Sequence, residues 1–368
     1  MLKNKPVFPK TALLLMLIMG FVLAPAGQLA GAQGKQVENC AVTPVQLMGQ
    51  AYMRLMGAEG ETEETIANPD IIADPNWIQD VVPVAGAGTK PVVILVIDEF
   101  PPSEQAGGAK KAPKTHGELV WEVLEQVLAS LSEAGVNNIG MRKVNIAAGG
   151  SGNYKTNTIA KEVEKAINEL KKEGVERIVL NMSFVIVPCQ DGSFSHTDFV
   201  NSHRADPTKA IVTDLGNDGA AALLRKPKEG LDPLHDLIIK LNGQSTADGF
   251  AVMAIGAAGN FGEDEPFYPA GWPEVISVSA SEGNLSQAQL WAYSNGGEIM
   301  TPGAWYLLED GYYRAGTSFA APVMSVVAGL YLSHETVPCS FTAGNAPLNE
   351  PGNFANRAFS EGLACATP

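Results

Sequence analysis

The chain is short of several things, and each shortage excludes something. Basic residues are few: 25 Lys and Arg stand against 40 Asp and Glu, a net charge of −15. No basic stripe stands out, so nucleic-acid binding by phosphate neutralisation has little to work with. After residue 32 there is no long apolar run, so no membrane span is expected in the body of the chain. There are only four cysteines, with no C-x-x-C pair and no histidine at zinc-ligand spacing. H-E-x-x-H is absent, no Gly-Lys-Ser/Thr follows the glycines at 149–152, and no D-x-D-x-D-G loop occurs. Zinc hydrolases and P-loop nucleotide binders are thereby set aside. No cofactor for catalysis and no metal site is expected. Structural calcium would suit an acidic exported chain, yet no loop motif supports it.

What is present begins with an export segment. Residues 1–32 hold Lys3, Lys5 and Lys10, no acid, an apolar run from Ala12 to Ala24 and the ending Ala30-Gly31-Ala32. That is the layout of a cleavable secretory signal, and the run is short for a membrane span of roughly 20 residues. The mature chain is expected to be secreted, soluble and monomeric. In an exported protein the even set Cys40, Cys189, Cys339 and Cys365 suggests two disulfides. Of three connectivities, Cys339–Cys365 with Cys40–Cys189 is favoured, because it ties down both ends.

Residues 33–88 read as a polar, acidic N-terminal extension with one amphipathic helix at Val45–Met56, ending in a Gly-Ala-Gly linker at 86–88. From 89 the pattern changes. Pro91–Ile97 is a continuous β-branched run, as in a strand buried on both faces of a parallel sheet. Gly117–Ser132 and Asn157–Lys172 have helical apolar spacing. Met141–Ala147, Arg177–Met182, Phe250–Ala257 and Val275–Ala280 read as strands, Pro233–Leu241 and Ser318–Leu332 as helices. Such alternation predicts an α/β fold with a mostly parallel sheet and helices on both faces. Ligand groups then collect at the carboxyl ends of the strands. Residues 185–249 read as a surface insertion, its His196 and His203 as surface histidines, and 336–368 as a tail.

Three separated residues carry chemistry. Asp98 directly follows a buried apolar strand, where a carboxylate needs a partner. His116 opens a helix, whose positive end disfavours imidazolium and keeps a base available. Ser318 lies in Gly316-Thr317-Ser318-Phe319-Ala320-Ala321-Pro322, at the mouth of the last helix. Its backbone N–H is a helix-start donor suited to an oxyanion. Pro322 is expected in the first turn, where its missing N–H removes no bond.

With these motifs the sequence resembles the subtilisin-like serine proteases, the subtilases, over roughly residues 89–335. Matching segments include Val93–Asp98, His116-Gly117, Leu180–Ser183, Ala257–Asn260, Tyr268–Ala270, Val275–Val278, Tyr293–Asn295, Pro302-Gly303 and Gly316–Pro322. The resemblance implies the subtilisin-like three-layer fold, with Asp98, His116 and Ser318 as a catalytic triad and Asn260 as oxyanion donor. It also implies that the Ser183-Phe184 segment and Gly259 line the cleft for an extended peptide, and that Phe267 lies near the base of the primary pocket. The function so implied is a secreted serine endopeptidase acting on proteins or peptides through an acyl-enzyme.

Departures from the family pattern are visible as well. Glu99-Phe100 replace a small residue and Gly after the Asp. Glu118-Leu119 replace Thr-His, and Val185 stands where the cleft has Gly. Phe267 argues for small substrate side chains, the Glu263-Asp264-Glu265 run for basic ones. Residues 33–88 could serve as a short propeptide, although they are short for the family's prodomain. The altered cleft motivates an alternative: a catalytically impaired pseudoprotease that binds extended peptides without cutting them.

Overall fold

The computed structural model describes residues 39–42, 72–85, 88–100, 114–146, 154–188, 232–244, 250–260, 262–283, 288–309, 311 and 313–334. Its strands are β1 (Asn39–Val42), β2 (Val92–Asp98), β3 (Ile139–Asn145), β4 (Tyr154–Lys155), β5 (Arg177–Met182), β6 (Val185–Pro188), β7 (Ala251–Ala257), β8 (Val275–Glu282), β9 (Gln289–Leu290), β10 (Ile299–Pro302), β11 (Tyr306–Leu307) and β12 (Tyr313–Arg314). The helices are α1 (Ile78–Ala85), α2 (His116–Glu133), α3 (Thr156–Lys172), α4 (Pro233–Gln244) and α5 (Thr317–Leu332). The export segment, the helix expected at Val45–Met56, His196, His203, Cys189, Cys339 and Cys365 lie outside the described residues.

Strands β10-β8-β7-β5-β2-β3 form the main sheet in that order, each neighbouring pair parallel, with β9 antiparallel on β8. The side chains of β2 show why its run is unbroken. Val92, Ile94 and Val96 point into one core with α1, α2 and α5. Leu95 and Ile97 point into a second core with α3 and α4. A strand covered on both faces has no face left for polar residues. The three-layer α/β fold with a mostly parallel sheet is therefore present, and each element expected there is found with bounds moved by a few residues.

The helices differ by position. α3 turns only Ile159, Val163, Ile167, Leu170 and their small neighbours inward. α5 is buried along its whole length, because it crosses the sheet beneath α1 and α2 and is apolar all round.

Three features depart from the sequence reading. First, residues 72–85 are part of the core: Trp77, Ile78 and Val81 pack with α2 and α5. Asp74 caps the short 3₁₀ turn Pro75–Trp77 that leads into α1. Second, β1 lies between β4 and β6 in a small antiparallel sheet. Third, α5 starts at Thr317, so Pro322 is its sixth residue and lies inside the helix rather than in the first turn. The bond that Pro322 cannot make frees the Ser318 carbonyl four residues earlier. That carbonyl instead accepts from the Ser183 hydroxyl at 3.1 Å.

Candidate active site

Asp98 ends β2 at the carboxyl edge of the sheet and is fully buried. Its Oδ1 accepts from the Glu99 N–H at 2.7 Å, which fixes the carboxylate. His116 starts α2, whose first turn is set by a capping box. Glu118 accepts from the Thr115 N–H at 2.7 Å, and the Thr115 hydroxyl accepts from the Glu118 N–H. The Glu at 118 that departs from the family pattern therefore has work at the helix start; the Thr-x-x-Glu spacing is its sequence signature. The Gly117 N–H donates to the Glu99 carbonyl at 3.1 Å, tying α2 to the end of β2. Glu99 is engaged there through its backbone.

These anchors place His116 Nδ1 at 3.0 Å from both carboxylate oxygens of Asp98. A carboxylate only accepts, so Nδ1 carries the proton and Nε2 presents its lone pair. Nε2 is buried and has no hydrogen-bond partner among the described residues. The imidazole lies beside Phe319, ring centroids 6.4 Å apart, and so at the turn that carries Ser318.

Ser318 is the second residue of α5 and is buried. Its hydroxyl donates to the Ser183 carbonyl at 3.4 Å, a long bond, and not to His116. Serine and imidazole contacts of this kind often tighten only once a substrate is bound. Below them runs a buried chain. Ser325 Oγ donates to Asn181 Oδ1 at 3.1 Å, Asn181 Nδ2 donates to Ser183 Oγ at 3.1 Å, and Ser183 Oγ donates to the Ser318 carbonyl. The chain locks β5 against α5 and holds the serine turn from beneath.

Asn260 follows β7. Its Oδ1 accepts from the Thr317 N–H at 2.8 Å and from the Thr317 hydroxyl at 2.9 Å. The same hydroxyl accepts from the Gly259 N–H at 3.1 Å. With Oδ1 occupied twice, the amide orientation is fixed and Nδ2 is the end left to donate. Thr317 is thus a positioning residue that sequence reasoning passed over, although it stands in the Gly-Thr-Ser motif.

The remaining cleft candidates are distributed differently. Gly259 has φ +118, and a Cβ there would come within 2.9 Å of Asn295 Nδ2 and 3.2 Å of Phe267 Cδ2. Phe267 is therefore next to Gly259, buried in the first core. Ser183 spends its side chain on the chain beneath α5, and Phe184 is buried in the second core. Only the backbone of these two can meet a peptide, because their side chains are used for packing. Asp98, His116, Ser318, Ser183, Asn260 and Gly259 lie around one point at the carboxyl end of the sheet. A buried, oriented base beside a hydroxyl and an amide donor can support nucleophilic attack on a carbonyl.

The Subtilase family model matches residues 134–337, more than half of the chain. The chain belongs to the subtilase family. The matched stretch holds Ser183, Asn260 and Ser318, while Asp98 and His116 precede it and join them through the contacts above. Among subtilases, thermitase of Thermoactinomyces vulgaris is 32% identical over 85 residues, which is 22% of this chain and 30% of thermitase. Halolysin of Haloferax mediterranei is 34% identical over 86 residues, 22% of this chain and 17% of halolysin. The chain thus spans less than a third of the length of the curated relatives it matches. Among solved structures, the prenylagaramide maturation protease PagA aligns over 78% of this chain and 99% of its own at 17% identity, TM-score 0.41. Sphericase aligns over 75% and 88% at 15% identity, TM-score 0.38. No helix among the described residues is long and apolar enough to cross a membrane.

Proposed function

We propose that this subtilase is a secreted serine peptidase that cuts peptide bonds through an acyl-enzyme. One observation carries the reading: a buried imidazole bound by Asp98 at Nδ1, with its buried Nε2 unpartnered among the described residues and beside the Ser318 turn. Ser318 Oγ attacks the peptide carbonyl while His116 Nε2 takes its proton, so the hydroxyl becomes a nucleophile at neutral pH. Asp98 holds the tautomer and stabilises the imidazolium as it forms. Asn260 Nδ2 and the Ser318 N–H donate to the tetrahedral oxyanion. Imidazolium then protonates the leaving amine, and water repeats the sequence on the ester.

Export rests on the signal-like segment 1–32. The even number of cysteines fits it, read as two disulfides with Cys40–Cys189 as one of them. One observation favours the rival reading of a peptide-binding pseudoprotease, namely that Ser318 Oγ turns to Ser183 rather than to His116.

A fluorophosphonate probe followed by peptide mapping separates the two. An active peptidase is labelled at Ser318 and cleaves short peptide amides, and Ser318→Ala loses both. Peptide binding without labelling would favour the pseudoprotease, and undiminished cleavage by Ser318→Ala would overturn the assignment of the nucleophile.

A further inference from the structure

We propose that β1 is a built-in strand filling the outer part of the edge on which a substrate would pair. On this proposal, which rests on the peptidase reading, the site takes peptides with about two or three residues ahead of the scissile bond. β6 begins two residues after Ser183, whose carbonyl accepts from Ser318 Oγ. A peptide with its reacting carbonyl at Ser318 must therefore leave the site along β6.

That edge is already in use. The Ile186 N–H donates to the Tyr268 carbonyl at 2.7 Å, away from β1. By strand alternation Val185 and Val187 then turn their backbone groups toward β1, where they face Val42 and Cys40. On its other side β1 pairs with β4, Cys40 opposite Lys155 and Ala41 opposite Tyr154. The slot between β4 and β6, the place for an added strand, is filled by the chain itself.

The strand is anchored. Asn39, Cys40 and Ala41 are buried. Asn39 Nδ2 donates to Asp232 Oδ2 at 2.7 Å, and the Thr156 hydroxyl at the head of α3 donates to the same oxygen at 3.0 Å. Asp232 Oδ1 accepts from the Leu234 N–H at 2.9 Å at the head of α4. Removing β1 would leave a buried carboxylate short of a donor, so the fold favours keeping it. From Ser183 to Val185 the edge advances two residues at roughly 3.3 Å each, about 7 Å of pairing length before Val42 is met.

The test uses the full chain and coumarin amides of alanine-based peptides one to six residues long, with alanine or arginine next to the coumarin. The expected kcat/KM climbs to two or three residues and falls at least tenfold for longer peptides. Asn39→Ala and Thr156→Val, which loosen the Asp232 anchor, should restore the longer peptides at least threefold without changing the rate of fluorophosphonate labelling. A steady climb through six residues in the unaltered chain would overturn the proposal, whether or not the variants fold. So would mass spectrometry showing that the species cleaving long peptides has lost residues 39–42, for β1 would then be a removable inhibitor. Absence of labelling in the same full chain would instead overturn the peptidase reading itself.

Discussion

At Gly117 a Cβ would come within 2.3 Å of the Glu99 carbonyl oxygen and 3.0 Å of Asp98 Cβ. Backbone cannot yield as a side chain can, so Gly117→Ala should push α2 off the end of β2 and lengthen the His116–Asp98 contact. The expected result is a stability loss of about 1–3 kcal/mol by urea denaturation, with kcat falling well beyond KM. Asn260 and Thr317 separate a donor from its support. Asn260→Ala should lower kcat about 10²–10³-fold with KM little changed, the size such a donor has in subtilisin itself. Thr317→Val leaves the Thr317 N–H on Asn260 Oδ1 but removes the hydroxyl bond. The Gly259 N–H loses its acceptor as well, but only the bond to Oδ1 bears on the amide, which predicts a loss nearer tenfold, again in kcat, by steady-state assay. Equal losses from the two would mean that Thr317 does more than orient the amide.

Elements are joined by ties of the same kind. Glu122 is buried on α2, six residues past His116, and accepts from Lys114 Nζ at 2.5 Å and from the Glu309 N–H. Lys114 also reaches Glu309 at 3.1 Å, so the cation links α2 to the segment between β11 and β12. Burial pushes the Lys114 ammonium down, but hydrogen bonds and charges from Glu122 and Glu309 outweigh it and hold it above its ordinary 10.5. A raised folded value means the contribution is complete below the ordinary lysine range and fades as pH climbs past it. Lys114→Met should therefore lower stability by about 1–3 kcal/mol, a gap constant from pH 6 to 9 that closes above about 10.5 in denaturant titrations. The elements themselves were legible wherever one period dominated: the apolar run of β2 and the Leu119–Leu131 spacing of α2 left little choice. α1 was hidden, because its eight residues Ile78–Ala85 are too few to show a helical period and Pro83 interrupts them. β1 was hidden more deeply, since four residues between β4 and β6 owe their strand state to tertiary pairing and not to local pattern. Pro322 misled for a similar reason: its tolerance depends on Ser183, far away in sequence, taking the Ser318 carbonyl.

For the whole molecule, the sheet brings residues from three strand ends and two helix starts to one point. Order along the chain suggested that convergence, and the Asp98–His116 pairing and the Asn260–Thr317–Ser318 turn give it a physical form. What sequence could not disclose was the direction in which the serine hydroxyl points, or that the chain supplies its own strand beside the cleft. If Asp98 and His116 act as one unit upon Ser318, removing the second after the first should lose little more. The decisive measurement is the second-order rate of fluorophosphonate labelling at Ser318 in His116→Ala, Asp98→Ala and the double variant. The account predicts a double variant within about threefold of His116→Ala alone. Losses that multiply, or a His116→Ala protein labelled as fast as the unaltered chain, would contradict it.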